Sequence, residues 1–136
     1  MVGFSSGQMK YSQYIIDLAQ AIAHAEGFGV LGAVPTRAHN PGDLKLSGYP
    51  TTGAEGIAVF KDDETGWDHL FNQLRRININ NSHVYNLKMT FTEFAVKWTD
   101  TQQSAWLDNV LSKLQNLGYN VNKDTTLGDF FCKGGE

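Results

Sequence analysis

The sequence predicts an α+β fold, mainly α, in one domain. Apolar stripes at helical spacing recur along most of the chain, and two short extended runs sit together between the first two stripes. At 136 residues and 41% hydrophobic content, the chain is long enough to bury a core without metals or disulfides.

The first stripe starts after Ser12, with Ile15, Leu18, Ala19, Ile22 and Ala23 at i, i+3, i+4, i+7 and i+8. It predicts a core-facing helix that glycines end after Glu26. Gly27, Gly29, Gly32 and Pro35 mark residues 27–36 as a loop. Leu44-Lys45-Leu46 and Ile57-Ala58-Val59-Phe60 then predict a small antiparallel ribbon. Helical spacing returns with Trp67, Leu70, Phe71, Leu74 and Ile77, entered through Asp62-Asp63-Glu64, acids that suit the positive end of a helix dipole. The Asn-rich stretch 78–86 is a linker within the domain. Thr90-Phe91-Thr92-Glu93 matches a capping box and opens a helix whose apolar face carries Phe91, Phe94, Ala95 and Trp98. A longer helix holds Leu107, Val110, Leu111, Leu114 and Leu117 and stops at Gly118. Leu127, Phe130 and Phe131 allow one further turn or two. Four or five helices with the ribbon between the first and second are therefore expected, in a domain over 12–132. Segment 1–11 reads as disordered or as a cloning remnant, and 133–136 as a flexible tail.

Net charge is −3 and the largest basic cluster is Arg75-Arg76, so the footprint of a nucleic-acid or anionic-membrane binder is missing and a neutral or mixed-charge polymer is the better partner. No apolar run approaches the roughly 20 residues of a membrane span, and residues 1–13 carry no export signal, so a soluble monomer is expected. Cys132 lies in Phe130-Phe131-Cys132-Lys133 without a nucleophile signature and reads as a packed or idle thiol. His24, His39, His69 and His83 are scattered, and neither a His-x-x-x-His nor a Cys-x-x-Cys pair exists, so no metal or other cofactor is implied.

Glu26 carries the chemistry. It lies eleven residues after Ile15, which at about 100° per residue returns it to within roughly 20° of the apolar stripe. A carboxyl in that position loses hydration and responds by raising its pKa, the property a general acid needs near neutral pH. The plainer reading is a helix-end glutamate reaching water. His24 falls about half a turn away and should face outward.

Ala25-Glu26-Gly27, then Arg37-Ala38-His39-Asn40-Pro41-Gly42-Asp43-Leu44, then Gly56-Ile57-Ala58-Val59-Phe60 and Gly66-Trp67, occur in an order that resembles small phage and bacterial cell-wall lysins of the lysozyme-like superfamily. The resemblance covers roughly residues 15–74. It implies a lysozyme-like fold and a cleft between the helical body and the ribbon, with Glu26 as the acid on a β-1,4 glycosidic bond of peptidoglycan or a related amino-sugar polymer. The place of action would be the bacterial cell wall, whether extracellular, periplasmic or virion-associated. Asn40, Gly42 and Asp43 would line or shape that cleft: Asn40 bonds neighbouring backbone, and Gly42 permits close approach. Arg37 reads either as a contact for a carboxylate or as a surface arginine. Tyr49, Phe60, Trp98 and Trp106 are candidate sugar-stacking rings, Tyr49 being the one expected to be exposed, whereas Trp67, Phe71 and Phe94 are assigned to the core. Asp43, Glu55 and Asp62 are candidate second carboxylates. Lytic transglycosylases, which the glutamate-only pattern also resembles, dispense with that group and leave an anhydro sugar, and this single-acid mechanism is the one favoured here. The alternatives are a catalytically silent carbohydrate-binding or phage structural module of the same fold, and a helical interaction domain without a sugar ligand.

Overall fold

A computed structural model of the chain describes residues 11–52 and 56–133. Among them are six helices and one two-stranded antiparallel sheet: α1 (Gln13–Glu26), α2 (Val34–Arg37), β1 (Thr51–Thr52), β2 (Ile57–Ala58), α3 (Asp63–Asn78), α4 (Phe91–Trp98), α5 (Gln103–Asn116) and α6 (Leu127–Lys133). No helix among the described residues is long and apolar enough to cross a membrane.

The Ser12 side chain caps α1 by accepting from the Ile15 amide, and the predicted stripe is buried together with Ile16, Asp17 and Ala21. Burial beyond one stripe makes α1 the spine, and it packs against α3, α5 and α6. Its end is a Schellman motif: Gly27 takes φ 84°, its amide donates to the His24 carbonyl, and the Phe28 amide reaches back to Ala23 at 3.0 Å. Because the chain reverses there, Glu26 is held as the last residue of the helix.

The region 27–36 is not wholly loop. Pro35 sits in the first turn of the short helix α2, which has too few residues to show a periodic pattern. The ribbon also differs from expectation. Its first strand is Thr51–Thr52, in register Thr51 to Ala58 and Thr52 to Ile57, not residues 44–46. The Leu44 carbonyl does accept from the Ala58 amide at 3.0 Å, but both the N–H and the C=O of Leu44 are also taken by the Asn40 side chain, which stands in the place of a neighbouring strand.

Asp62 caps α3 by accepting from the Thr65 amide, and the capping box of Thr90 and Glu93 opens α4 as the sequence indicates. Helix α5 begins at Gln103, a turn before its first predicted apolar residue, and Gly118 at φ 101° follows its end. Side chains of Phe71 on α3, Phe91 and Phe94 on α4 and Phe130 on α6 are fully buried in the core. The Tyr11 ring lies 5.3 Å from that of Phe71, tilted by 44°, and Lys133 closes α6. The rest of segments 1–11 and 133–136 lies outside the described residues, as does Glu55.

Candidate active site

Helix α1 delivers Glu26 half-buried at its C-terminal end, where backbone carbonyls already disfavour a second negative charge. The Trp106 indole, on the first turn of α5, donates through Nε1 to Glu26 Oε2 at 3.0 Å. The Asp43 carboxyl, on the loop after α2, lies close enough to Glu26 to act on it by charge and by hydrogen bonding. Burial is the largest influence on the Glu26 carboxyl, and the Asp43 charge adds to it. The indoles of Trp106 and Trp98 oppose both, and the net result is a pKa pushed up to about 8. At neutral pH Glu26 is therefore protonated and able to donate.

The loop that brings Asp43 there is built from the bottom by Asn40, which is fully buried. Its Nδ2 donates to the carbonyls of Leu44 at 2.9 Å and Ala58 at 2.8 Å, its Oδ1 accepts from the Leu44 amide at 2.9 Å, and its own amide donates to Pro35 at 2.9 Å. His39 and Asp43 take left-handed φ values of 53° and 52°, a conformation that His, Asn and Asp adopt more readily than most residues. Two glycines let α3 close on this loop. A Cβ on Gly66 would lie 1.9 Å from the His39 carbonyl oxygen and 2.9 Å from Pro41 Cδ, and one on Gly42 would lie 2.8 Å from Leu70 Cδ1. The Asn-Pro-Gly-Asp and Gly-Trp fragments of the sequence are thus two sides of one contact.

Two cavities flank the carboxyl pair. One of about 210 Å³ runs from Gly42 and Asp43 past Trp98 to Tyr85, with Lys97 and Asp100 at its edge. The other, about 160 Å³, holds Glu26, Trp106, Thr99, Gln102 and Asn109. The ion pair of Lys45 Nζ and Asp100 Oδ2, 2.8 Å long, spans the first cavity from the Asp43 loop to the turn between α4 and α5. The cavity that holds Glu26 is thus walled by the end of α1, the α4–α5 turn and α5, the Asp43 loop lines the other, and β1 lines neither.

Of the sequence candidates, Glu26, Asp43, Gly42, Trp98 and Trp106 come together, and Asn40 supports them from below. Arg37 is exposed and its Nε donates to the Gly32 carbonyl at 3.0 Å; it lines neither cavity. Tyr49 is exposed as expected, but its hydroxyl bonds His69 Nε2 at 3.1 Å on a separate face, stacked edge-on to Phe60. Phe60 is 3% exposed, so its ring is core and cannot stack on a sugar. Asp62 is spent on capping α3, its hydrogen bonds with Thr65 hold its carboxyl below the usual range, and it lines neither cavity. His24 is exposed, as its phase predicts. Trp106, expected as a sugar-stacking ring, is 4% exposed, so its face is packed in the core and its N–H donates to Glu26 instead. Thr99, Gln102 and Asn109 were not singled out; the polar run from Thr99 to Ser104 between two aromatic-bearing helices was the available signal. Comparison of the chain with protein-family models, curated proteins and solved structures finds no match.

Proposed function

We propose that this chain is a glycan-cleaving enzyme of lysozyme-like fold, acting on β-1,4 bonds of peptidoglycan or a related amino-sugar polymer at the bacterial cell wall, with Glu26 as its general acid. The observation that carries the reading is a glutamate kept protonated at neutral pH by burial and an acidic neighbour, with one open cavity beside it and a second beside Asp43. In this reading Glu26 gives its proton to the glycosidic oxygen as the bond from that oxygen to the anomeric carbon breaks. The sugar's own 6-hydroxyl then attacks the anomeric carbon and returns a proton to the Glu26 carboxylate, leaving an anhydro end.

The place of Asp43 favours this single-acid course. Two-carboxylate glycosidases hold their groups about 5–5.5 Å apart when retaining and about 6.5–9.5 Å apart when inverting, so that a sugar or a water fits between. Asp43 acts on the Glu26 carboxyl by charge and by hydrogen bonding, which suits tuning of the acid better than attack from across the sugar.

Glu26→Gln is the direct test. The amide mimics the protonated acid, since its carbonyl oxygen can keep the Trp106 bond and its NH₂ can donate to Asp43, yet it has no proton to give. Clearing of cell-wall gels should fall by at least about a hundredfold, the typical contribution of a general acid, with the fold unchanged by circular dichroism. Substantial clearing by a folded variant would remove Glu26 as the acid; absence of clearing and of anhydro products from the unmodified protein would leave the silent binding module. Mass spectrometry of digested peptidoglycan should find ends lighter by one water, and hydrolysed ends alone would refute the single-acid course.

A further inference from the structure

We propose that Trp98 is a positioning residue whose indole N–H, by fixing the Gly42 carbonyl, holds Asp43 in contact with Glu26. The geometry is that of one peptide plane pinned at both ends. Trp98 Nε1 donates to the Gly42 carbonyl at 3.1 Å, and the amide of the same peptide unit, that of Asp43, donates to the Asn40 carbonyl at 3.1 Å. Asp43 sits at φ 52°, a left-handed conformation that a side chain disfavours. Relaxing it to negative φ turns that plane, and the turn breaks the bond to Trp98.

The indole is itself held from three sides. It stacks on Trp106 at 6.3 Å and 26°, and packs on Phe94 at 5.2 Å and on Tyr85 at 5.7 Å, which leaves its N–H little freedom of direction. Trp106 in turn bonds Glu26. Two stacked rings therefore grip the two carboxyl groups, one gripping the acid directly and the other gripping the loop that carries its neighbour. The remaining charged or titratable groups around this cavity are Lys45, Lys97, Asp100 and Tyr85, and none of them is altered in the test below. The inference rests on the reading of Glu26 as the acid only for its functional meaning; the contact itself is a property of the resting protein.

The test is a double-mutant cycle read by NMR titration of the Glu26 carboxyl carbon in the resting protein, with Trp98→Phe, Asp43→Asn and both together. Asp43→Asn keeps a residue that tolerates left-handed φ and removes the charge, so the Glu26 midpoint should fall by on the order of one pH unit. In that background Trp98→Phe removes only the indole's own interaction with Glu26 and should raise the midpoint slightly. With Asp43 present, the same substitution also frees the loop, so the midpoint should lie lower than the additive value by roughly half a unit or more. Equal displacement in both backgrounds overturns the proposal. If Trp98→Phe fails to fold, benzothienylalanine at position 98, which replaces the N–H by sulfur and keeps the bicyclic ring, makes the same comparison. Because no turnover is needed, a protein that cleaves no glycan but shows the non-additivity sinks the proposed function and keeps this contact, and the converse result sinks the contact alone.

Discussion

Glu26 is placed by opposing influences that single substitutions can separate. Trp106 stabilises the ionised carboxyl and Asp43 destabilises it. With Glu26 as the proposed acid, activity should fail on the alkaline side as its proton is lost. Trp106→Phe, which removes the donor and keeps most of the ring, should therefore move that alkaline limb to higher pH, and Asp43→Asn should move it to lower pH. Profiles of wall clearing against pH check the pair, and displacement of both limbs in the same direction would contradict the arrangement. At this scale the sequence showed which residue to examine, because the phase of Glu26 on the stripe of Ile15, Leu18 and Ile22 is a local property of one helix. It left Asp43, Glu55 and Asp62 equivalent as partners. Choosing among them needs the path of the chain through His39 and Asp43, both at positive φ, and no periodic pattern encodes that path.

The contact between α3 and the Asn-Pro-Gly-Asp loop is where two elements need a glycine each, but for different reasons. A methyl on Gly66 meets backbone, which cannot yield without parting the helix from the loop, whereas one on Gly42 meets the end of a leucine side chain. Gly66→Ala should accordingly lower stability by roughly 2 kcal/mol or more, and Gly42→Ala by about 1 kcal/mol or less, the ordinary range for modest overpacking. Thermal melts of the two variants check the order; a Gly42→Ala as damaging as Gly66→Ala would mean the loop is no more tolerant than the helix contact. The helices were readable because capping residues and stripes are local: the Thr90–Glu93 box caps where expected, and Ser12 and Asp62, which stand just before the stripes, cap α1 and α3. The ribbon was misread for the opposite reason. Leu44 has a strand's alternation, but its backbone partners come from the side chain of Asn40, a bond that no local pattern announces.

For the whole molecule, a carboxyl whose pKa rises on folding makes stability depend on pH in a fixed direction. The folded value is about 8 and the ordinary value 4.5. Below the lower value both states are protonated and the penalty is absent; between the two only the unfolded state ionises, so stability falls as pH rises, and above the folded value the full penalty is present. Glu26→Gln should thus be more stable than the parent by several kcal/mol, about 5 at most, at pH 9 and no more stable at pH 4, measured by denaturant melts. A gain at pH 4 equal to that at pH 9 would show that the carboxyl is not strained by ionisation. The mainly helical body with its small sheet could be anticipated from spacing alone, since α1 packs against α3, α5 and α6 through the stripes the sequence displays. What spacing could not supply is the 80-residue connection from Glu26 to Trp106. That one bond ties a fluorophore to the acid. Indole emission responds to the charge of whatever its N–H touches, so the resting protein should report the protonation of Glu26 as a spectral change centred near pH 8, a change that disappears in Glu26→Gln and needs neither substrate nor label.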